Sequence, residues 1–210
     1  MGAVASRTAV LVPLKSFAGA KARLGTSLSE PQRASLMREL AGGVLHAAEH
    51  FQRFVVCDSR EVAEFALTNG AQVIWRGGGL NPAVQSAADH LGLEGYERVI
   101  VSHGDLASPG SFEHYDVADS SVAIGPDRHG DGSNIVSIPT NHGYRFAYGV
   151  GSMARHMQQA ADRGLACEIM SDTMGLDVDT PEDLALYLQT AAVTDDVKHI
   201  HSKTQPLPER

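Results

Sequence analysis

Four apolar runs bounded by turn residues alternate with longer segments of helical period, and this alternation restricts the chain to few architectures. "TAVLVP" (8–13), "FVVCD" (54–58), "AQVIW" (71–75) and "RVIVS" (98–102) read as buried strands, and helices are expected at 29–50, 59–69, 81–92 and 181–193. The rhythm predicts an α/β fold: a mostly parallel sheet sandwiched by helices, with ligands at the carboxyl ends of the strands. Ser29, Pro31 and Gln32 open the first helix, Asn81 as cap and Pro82 as first helical residue open the third, and Thr180, Pro181 and Asp183 open the last. Between 119 and 148 the runs "SSVAIGPD", "DGSNIVSIP" and "YRFAYG" predict short strands of a small antiparallel excursion, and a further helix is expected over 152–164. A chain of 210 residues suits one sizeable core, so a single domain over 1–193 is expected, followed by a flexible tail, 194–210, that has no periodicity.

Composition removes several classes of function. The net charge of -8 argues against nucleic acid as partner, because such surfaces are basic. Cys57 and Cys167 have no C-x-x-C spacing, so neither a zinc site nor a disulfide framework is indicated, which fits a reducing cytoplasm. No run approaches the roughly 18 apolar residues of a membrane span, so a cytoplasmic protein without a membrane partner is expected. The oligomeric state is left open, a homodimer included.

Three stretches at strand ends carry the chemistry. In "GLDVDTPEDL", Thr180, Pro181 and Asp183 account for the helix start and leave Asp177 and Asp179 without a role in it. Strand alternation would point both the same way while Val178 faces the core, and like charges so close call for a cation or a protonated partner. "VSHGDLASP" leaves Asp105 at the end of the fourth strand, where an oxygen ligand suits Mg²⁺ and an Asx-turn acid is the alternative. His103 beside it reads as a satisfied structural histidine.

After the first strand, "VPLKSFAGAKARLG" combines small residues with Lys15, Lys21 and Arg23, a composition suited to phosphates, although a solvated basic loop would read the same way. It is neither a P-loop nor a dinucleotide fingerprint. Gly130, Gly132, Gly149 and Gly151, with Ser133 and Ser152, offer exposed N–H groups and hydroxyls for an anion, or simply form two turns. Ser152 stands where it could cap its helix, beside Arg155 and His156. No Cys/His or Ser/His/Asp spacing demands nucleophilic catalysis.

Taken in order, "VPLKSFAGAKARL", "LNPAVQSA", "HGDL", "GPDRHGDGSN", "YGVGSMARH" and "LDVDTPEDL" resemble the phospholactate guanylyltransferase family of coenzyme F(420) biosynthesis. The resemblance implies a nucleotidyltransferase of glycosyltransferase-A-like fold. It would join GMP from GTP to 2-phospho-L-lactate, phosphoenolpyruvate or 3-phosphoglycerate and release pyrophosphate. It further implies that Asp105, Asp177 and Asp179 bind Mg²⁺ and that Ser133, Gly149 and Ser152 contact the phospho-acid. Lys15, Lys21 and Arg23 would contact the triphosphate and stabilise the leaving pyrophosphate, and Asn81 would lie on the nucleotide side. An acceptor phosphate is already an anion near neutral pH, so no general base is called for. Ala107 and Ser108 stand where the family commonly has Pro and Leu. A sugar-1-phosphate or molybdopterin nucleotidyltransferase would share fold and acids but carry a fuller L-A-x-G-x-x-x-R loop. A non-catalytic nucleotide-binding module is the rival of another class.

Overall fold

A computed structural model describes residues 7–171 and 175–190. In chain order the elements are β1 (Thr8–Pro13), α1 (Glu30–Ala47), β2 (Gln52–Cys57), α2 (Arg60–Thr68), β3 (Gln72–Trp75), α3 (Leu80–Leu93), β4 (Arg98–Ser102), β5 (Ser121–Pro126), β6 (Ser133–Pro139), α4 (Ser152–Ala161) and β7 (Ala166–Ile169). A last helix, α5, covers 181–190. The residues expected to end that helix, 191–193, and the expected tail, 194–210, lie outside the described residues.

Seven strands form one sheet in the order β3-β2-β1-β4-β6-β5-β7. The pairs β1–β2, β2–β3, β1–β4 and β5–β7 are parallel, and β6 runs antiparallel to both β4 and β5. Strand alternation sends Ala9, Leu11, Val99 and Val101 to a core under α3 and α4, while Val10, Val12 and Ile100 enter the opposite core under α1 and α2. Both faces are therefore covered, as near-continuous apolar strands require. Among the described residues no helix is long and apolar enough to cross a membrane.

Three local expectations are corrected. "YRFAYG" is not a strand: residues 144–148 have no regular structure although Tyr144, Phe146 and Tyr148 are buried. Side chains, not a neighbouring strand, satisfy this backbone. Gln85 Oε1 accepts from Phe146 N at 3.1 Å, His156 Nε2 from Ala147 N at 2.9 Å and Asn81 Oδ1 from Tyr148 N at 2.7 Å. The third helix has its cap two residues earlier than expected, at Gly79 with φ of 94°, because the Asn81 side chain is committed to Tyr148 at both its oxygen and its nitrogen. Finally, β7 was not expected from sequence, being four residues long and mostly exposed at the sheet edge.

Candidate active site

The charged half of the site forms where β1 and β4 end. Leu14 and Phe17 anchor the loop after β1 in the core, and Lys21, with φ of 53° and ψ of 44°, takes a left-handed conformation unusual for a side-chain-bearing residue. Its ammonium donates to Asp105 and, at 2.7 Å, to Asp179, while its side chain is only 4% exposed. Burial alone would lower the Lys21 pKa, but Asp105 and Asp179 overturn that and hold it above its ordinary value. Asp105 mirrors this: burial pushes its pKa up, yet Lys21, joined by His103, holds the carboxyl below the usual range. Arg23 stands at the rim, 77% exposed and 3.9 Å from Asp179, and Lys15 is exposed at the mouth of the adjoining cavity.

The two acid-bearing segments are joined by backbone. Leu106 and Asp177 form an isolated antiparallel bridge, flanked by Val178 N donating to Asp105 O at 3.1 Å and Ala107 N donating to Leu176 O at 2.8 Å. The second bond is possible because Ala107, unlike a proline, keeps its N–H. Val178 is fully buried with Leu24, Leu36, Leu40 and Leu184, which fastens the basic loop, α1, the D-x-D stretch and α5 together. The predicted alternation thus holds on its apolar side, although the expected strand shortens to one bridge. Thr180 and Asp183 start α5 reciprocally: Asp183 Oδ2 accepts from Thr180 N at 2.8 Å and Thr180 Oγ1 from Asp183 N at 3.3 Å.

The expected three-carboxylate cluster is not preassembled: among the described residues no three His, Cys, Asp or Glu side chains stand together as a metal cage. Lys21 supplies the counter-charge to Asp105 and Asp179. The donor chemistry nevertheless fits a hard divalent cation. Among the described residues the buried Asp105 Oδ1 has no partner, and burial and the neighbouring Asp105 raise the pKa of Asp177. Mg²⁺ commonly takes one or two carboxylates and fills its remaining positions with water and substrate phosphates, so a full protein cage is not required.

The second half of the site is held mainly by hydrogen bonds. Asp127 closes the turn before β6 by accepting from the N–H groups of His129, Asp131 and Gly132. A Cβ on Gly132 would stand 2.6 Å from Asp127 Oδ2, so a side chain there would have to displace the carboxylate that closes the turn. Asp131 ties this turn to the next by accepting from Gly151 N at 2.8 Å. Gly149, with φ of 120°, and Gly151, with φ of 68°, adopt a backbone that side chains rarely tolerate. Ser152 is not the helix cap, a place Gly151 takes; its Oγ accepts from Ser133 N at 2.9 Å.

These halves line two adjoining cavities. One, of about 580 Å³, is bordered by the 13–20 loop, Met37, Leu80, His103 and Asp105. The other, of about 480 Å³, is bordered by Ser133, Gly149, Ser152, Tyr148, Arg128, Asp177 and Asp179, and again by Leu80 and His103. Arg23 lies on the second cavity, and Asn81 lines neither, its amide being spent on Tyr148. Two lining residues had no expected role: Arg128, which pairs with Asp183 at 2.7 Å, and Tyr148, whose buried hydroxyl has no partner among the described residues. His103 is not the satisfied histidine expected, because its Nε2 is buried without a partner. The i,i+4 spacing of Ser152 and His156 was the available sign that the histidine shares a helix face with a substrate-binding candidate.

A doubly covered, mostly parallel sheet with acids at strand ends, a basic loop after β1 and two adjoining cavities frames the site, and the family to which the chain belongs makes it a nucleotidyltransferase. A solved structure from Desulfovibrio desulfuricans G20, assigned as a nucleotide-diphospho-sugar transferase, shares the fold with a TM-score of 0.69 at 20% identity, covering 85% of each chain. The chain belongs to the "Guanylyl transferase CofC like" family, which matches residues 8–195. It is similar to a phosphoenolpyruvate guanylyltransferase of Conexibacter woesei, with 33% identity over 84% of this chain and 85% of that protein. It is also similar to a 2-phospho-L-lactate guanylyltransferase of Methanothermobacter thermautotrophicus, with 30% identity over 85% and 82%.

Proposed function

We propose that this guanylyltransferase binds GTP and a small phosphorylated three-carbon acid, forms a diphosphate link between GMP and the acid, and releases pyrophosphate. Phosphoenolpyruvate, 2-phospho-L-lactate and 3-phosphoglycerate are the candidate acids, and the product would serve coenzyme F(420) biosynthesis in the cytoplasm. The observation that carries the reading is the pair of cavities meeting at Leu80 and His103, with Asp105 on one and Asp177 and Asp179 on the other. Two reactants held side by side across the acids suit a displacement between two anions.

In this reading the 13–20 loop and Lys15 receive the nucleotide, and Lys21 and Arg23 neutralise charge that builds on the departing pyrophosphate. Ser133, Gly149 and Ser152 hold the acid so that its phosphate faces the nucleotide, which lowers the entropic part of the barrier. Asp105, Asp177 and Asp179 would hold Mg²⁺, which when bound supplies charge neutralisation between the reactants. Because the acceptor phosphate arrives deprotonated, no residue has to remove a proton. The similarity to relatives named for two of these acids supports the substrate class.

The test is pyrophosphate release from GTP and Mg²⁺ with each acid in turn. Turnover with at least one acid, and much slower release when ATP replaces GTP, is expected. No release with any of the three, or equal rates with ATP, would sink the proposal.

A further inference from the structure

The neutral half of the site contains a histidine with no part in the scheme above. His156 is completely buried, with its ring 5.0 Å from that of Tyr148 and 6.4 Å from that of Phe146. Its two nitrogens have different partners. Nε2 faces the backbone N–H of Ala147 at 2.9 Å, and a backbone amide can only donate, so Nε2 is the unprotonated nitrogen. In a neutral imidazole the proton then resides on Nδ1, which stands 3.1 Å from Ser133 Oγ and therefore donates to it.

That direction propagates. With Ser133 Oγ accepting from His156, its own hydroxyl proton has to go elsewhere, and no described residue accepts it. Ser152 Oγ is in the same position, since it accepts from Ser133 N. Both serines line the second cavity, and Tyr148, lining it too, has a buried hydroxyl with no partner. The cavity thus has three hydroxyls whose protons lack acceptors among the described residues.

We propose that His156 is a positioning residue that fixes Ser133 as a hydrogen-bond donor toward an anionic carboxylate or phosphate oxygen of the acceptor substrate. The inference rests on the proposed use of this cavity by a phospho-acid. Burial, with Arg155 and His103 adding to it, pushes the His156 pKa down to about 4, so the ring keeps its neutral tautomer throughout the working range. A protonated ring would donate at both nitrogens and lose the Ala147 bond.

Two measurements decide it. In the wild-type protein without ligand, ¹⁵N NMR of the His156 ring at neutral pH should show a protonated Nδ1 and a bare Nε2; the opposite tautomer overturns the proposal. In steady-state kinetics with phosphoenolpyruvate, His156→Gln can still meet Ala147 but places no donor at Nδ1, whereas the Asn amide of His156→Asn occupies the Nδ1 position. His156→Gln should raise KM for phosphoenolpyruvate by about three- to tenfold, the loss of one hydrogen bond, with KM for GTP nearly unchanged, and His156→Asn should restore most of the loss. In a Ser133→Ala background His156→Gln should add nothing further, because the two residues act as one unit. Equal damage from Gln and Asn, a matching rise in KM for GTP, or additivity in the double variant would make His156 merely structural. If neither phosphoenolpyruvate nor the other two acids is turned over, the functional reading fails, while the NMR result still decides the direction of the relay.

Discussion

The two halves of the site are organised by different physics. Around Lys21 full charges face one another, and the ammonium, nearly excluded from water, holds Asp105 and Asp179. Around Ser133 and Ser152 the groups are neutral, and order comes from which atom donates to which. The contrast teaches that the charged half meets its need for a counter-ion from within the protein, whereas the neutral half depends on the direction of individual hydrogen bonds. Charge attracts any anion or cation of suitable size, but a fixed donor array discriminates among acceptors.

The largest expected effect breaks the charged half. Asp105→Asn removes a buried charge that Lys21 pairs with and that the proposed reaction would use, and pyrophosphate release should fall by about a hundredfold or more. Circular dichroism should report an unchanged fold, since the side-chain volume is kept; retained turnover would show that this carboxylate takes no part in the chemistry.

Next comes a pH effect on the neutral half. Folding holds His156 at about 4 against about 6.5 in an unfolded chain, so the unfolded state binds the extra proton first. The associated stability should be complete above about pH 6.5 and decline, by a few kcal/mol, as pH falls toward 4. Urea unfolding of wild type against His156→Gln across that window tests this: the variant should lack that part of the slope.

Gly149→Val should follow, because a β-branched residue at a φ of 120° costs about 1–3 kcal/mol of strain. KM for the acid should rise roughly tenfold or more, with KM for GTP shifted far less. Ser152→Ala is milder, an expected three- to thirtyfold rise for the acid alone, from the loss of roughly one hydrogen bond to an anion. A rise for GTP instead would mean that the two cavities are assigned the wrong way round. The smallest effect is on stability from Arg23→Ala: a largely exposed ion pair at 3.9 Å should contribute under about 1 kcal/mol, measurable as a near-unchanged urea midpoint.

Much of this was legible in sequence. The runs at 8–13 and 98–102 are strands with the same bounds as read, Val178 is buried as its alternation required, and Thr180 with Asp183 starts a helix as their spacing indicated. These features depend on neighbours within a few residues, where periodicity and capping act. Asn81 and Ser152 were misread as helix caps because their side chains are taken by partners 67 and 19 residues away.

By itself, then, the sequence determined which segments are buried strands, where helices begin and which acids stand at strand ends. Only the tertiary structure decided that Lys21 meets acids 84 and 158 residues away, that Tyr144, Phe146 and Tyr148 are buried without forming a strand, and that His156 stands between Ala147 N and Ser133 Oγ. The reason is that local pattern records how much water each residue avoids, while the choice of partner for a charge or an N–H is made among groups that only folding brings within 3 Å or so.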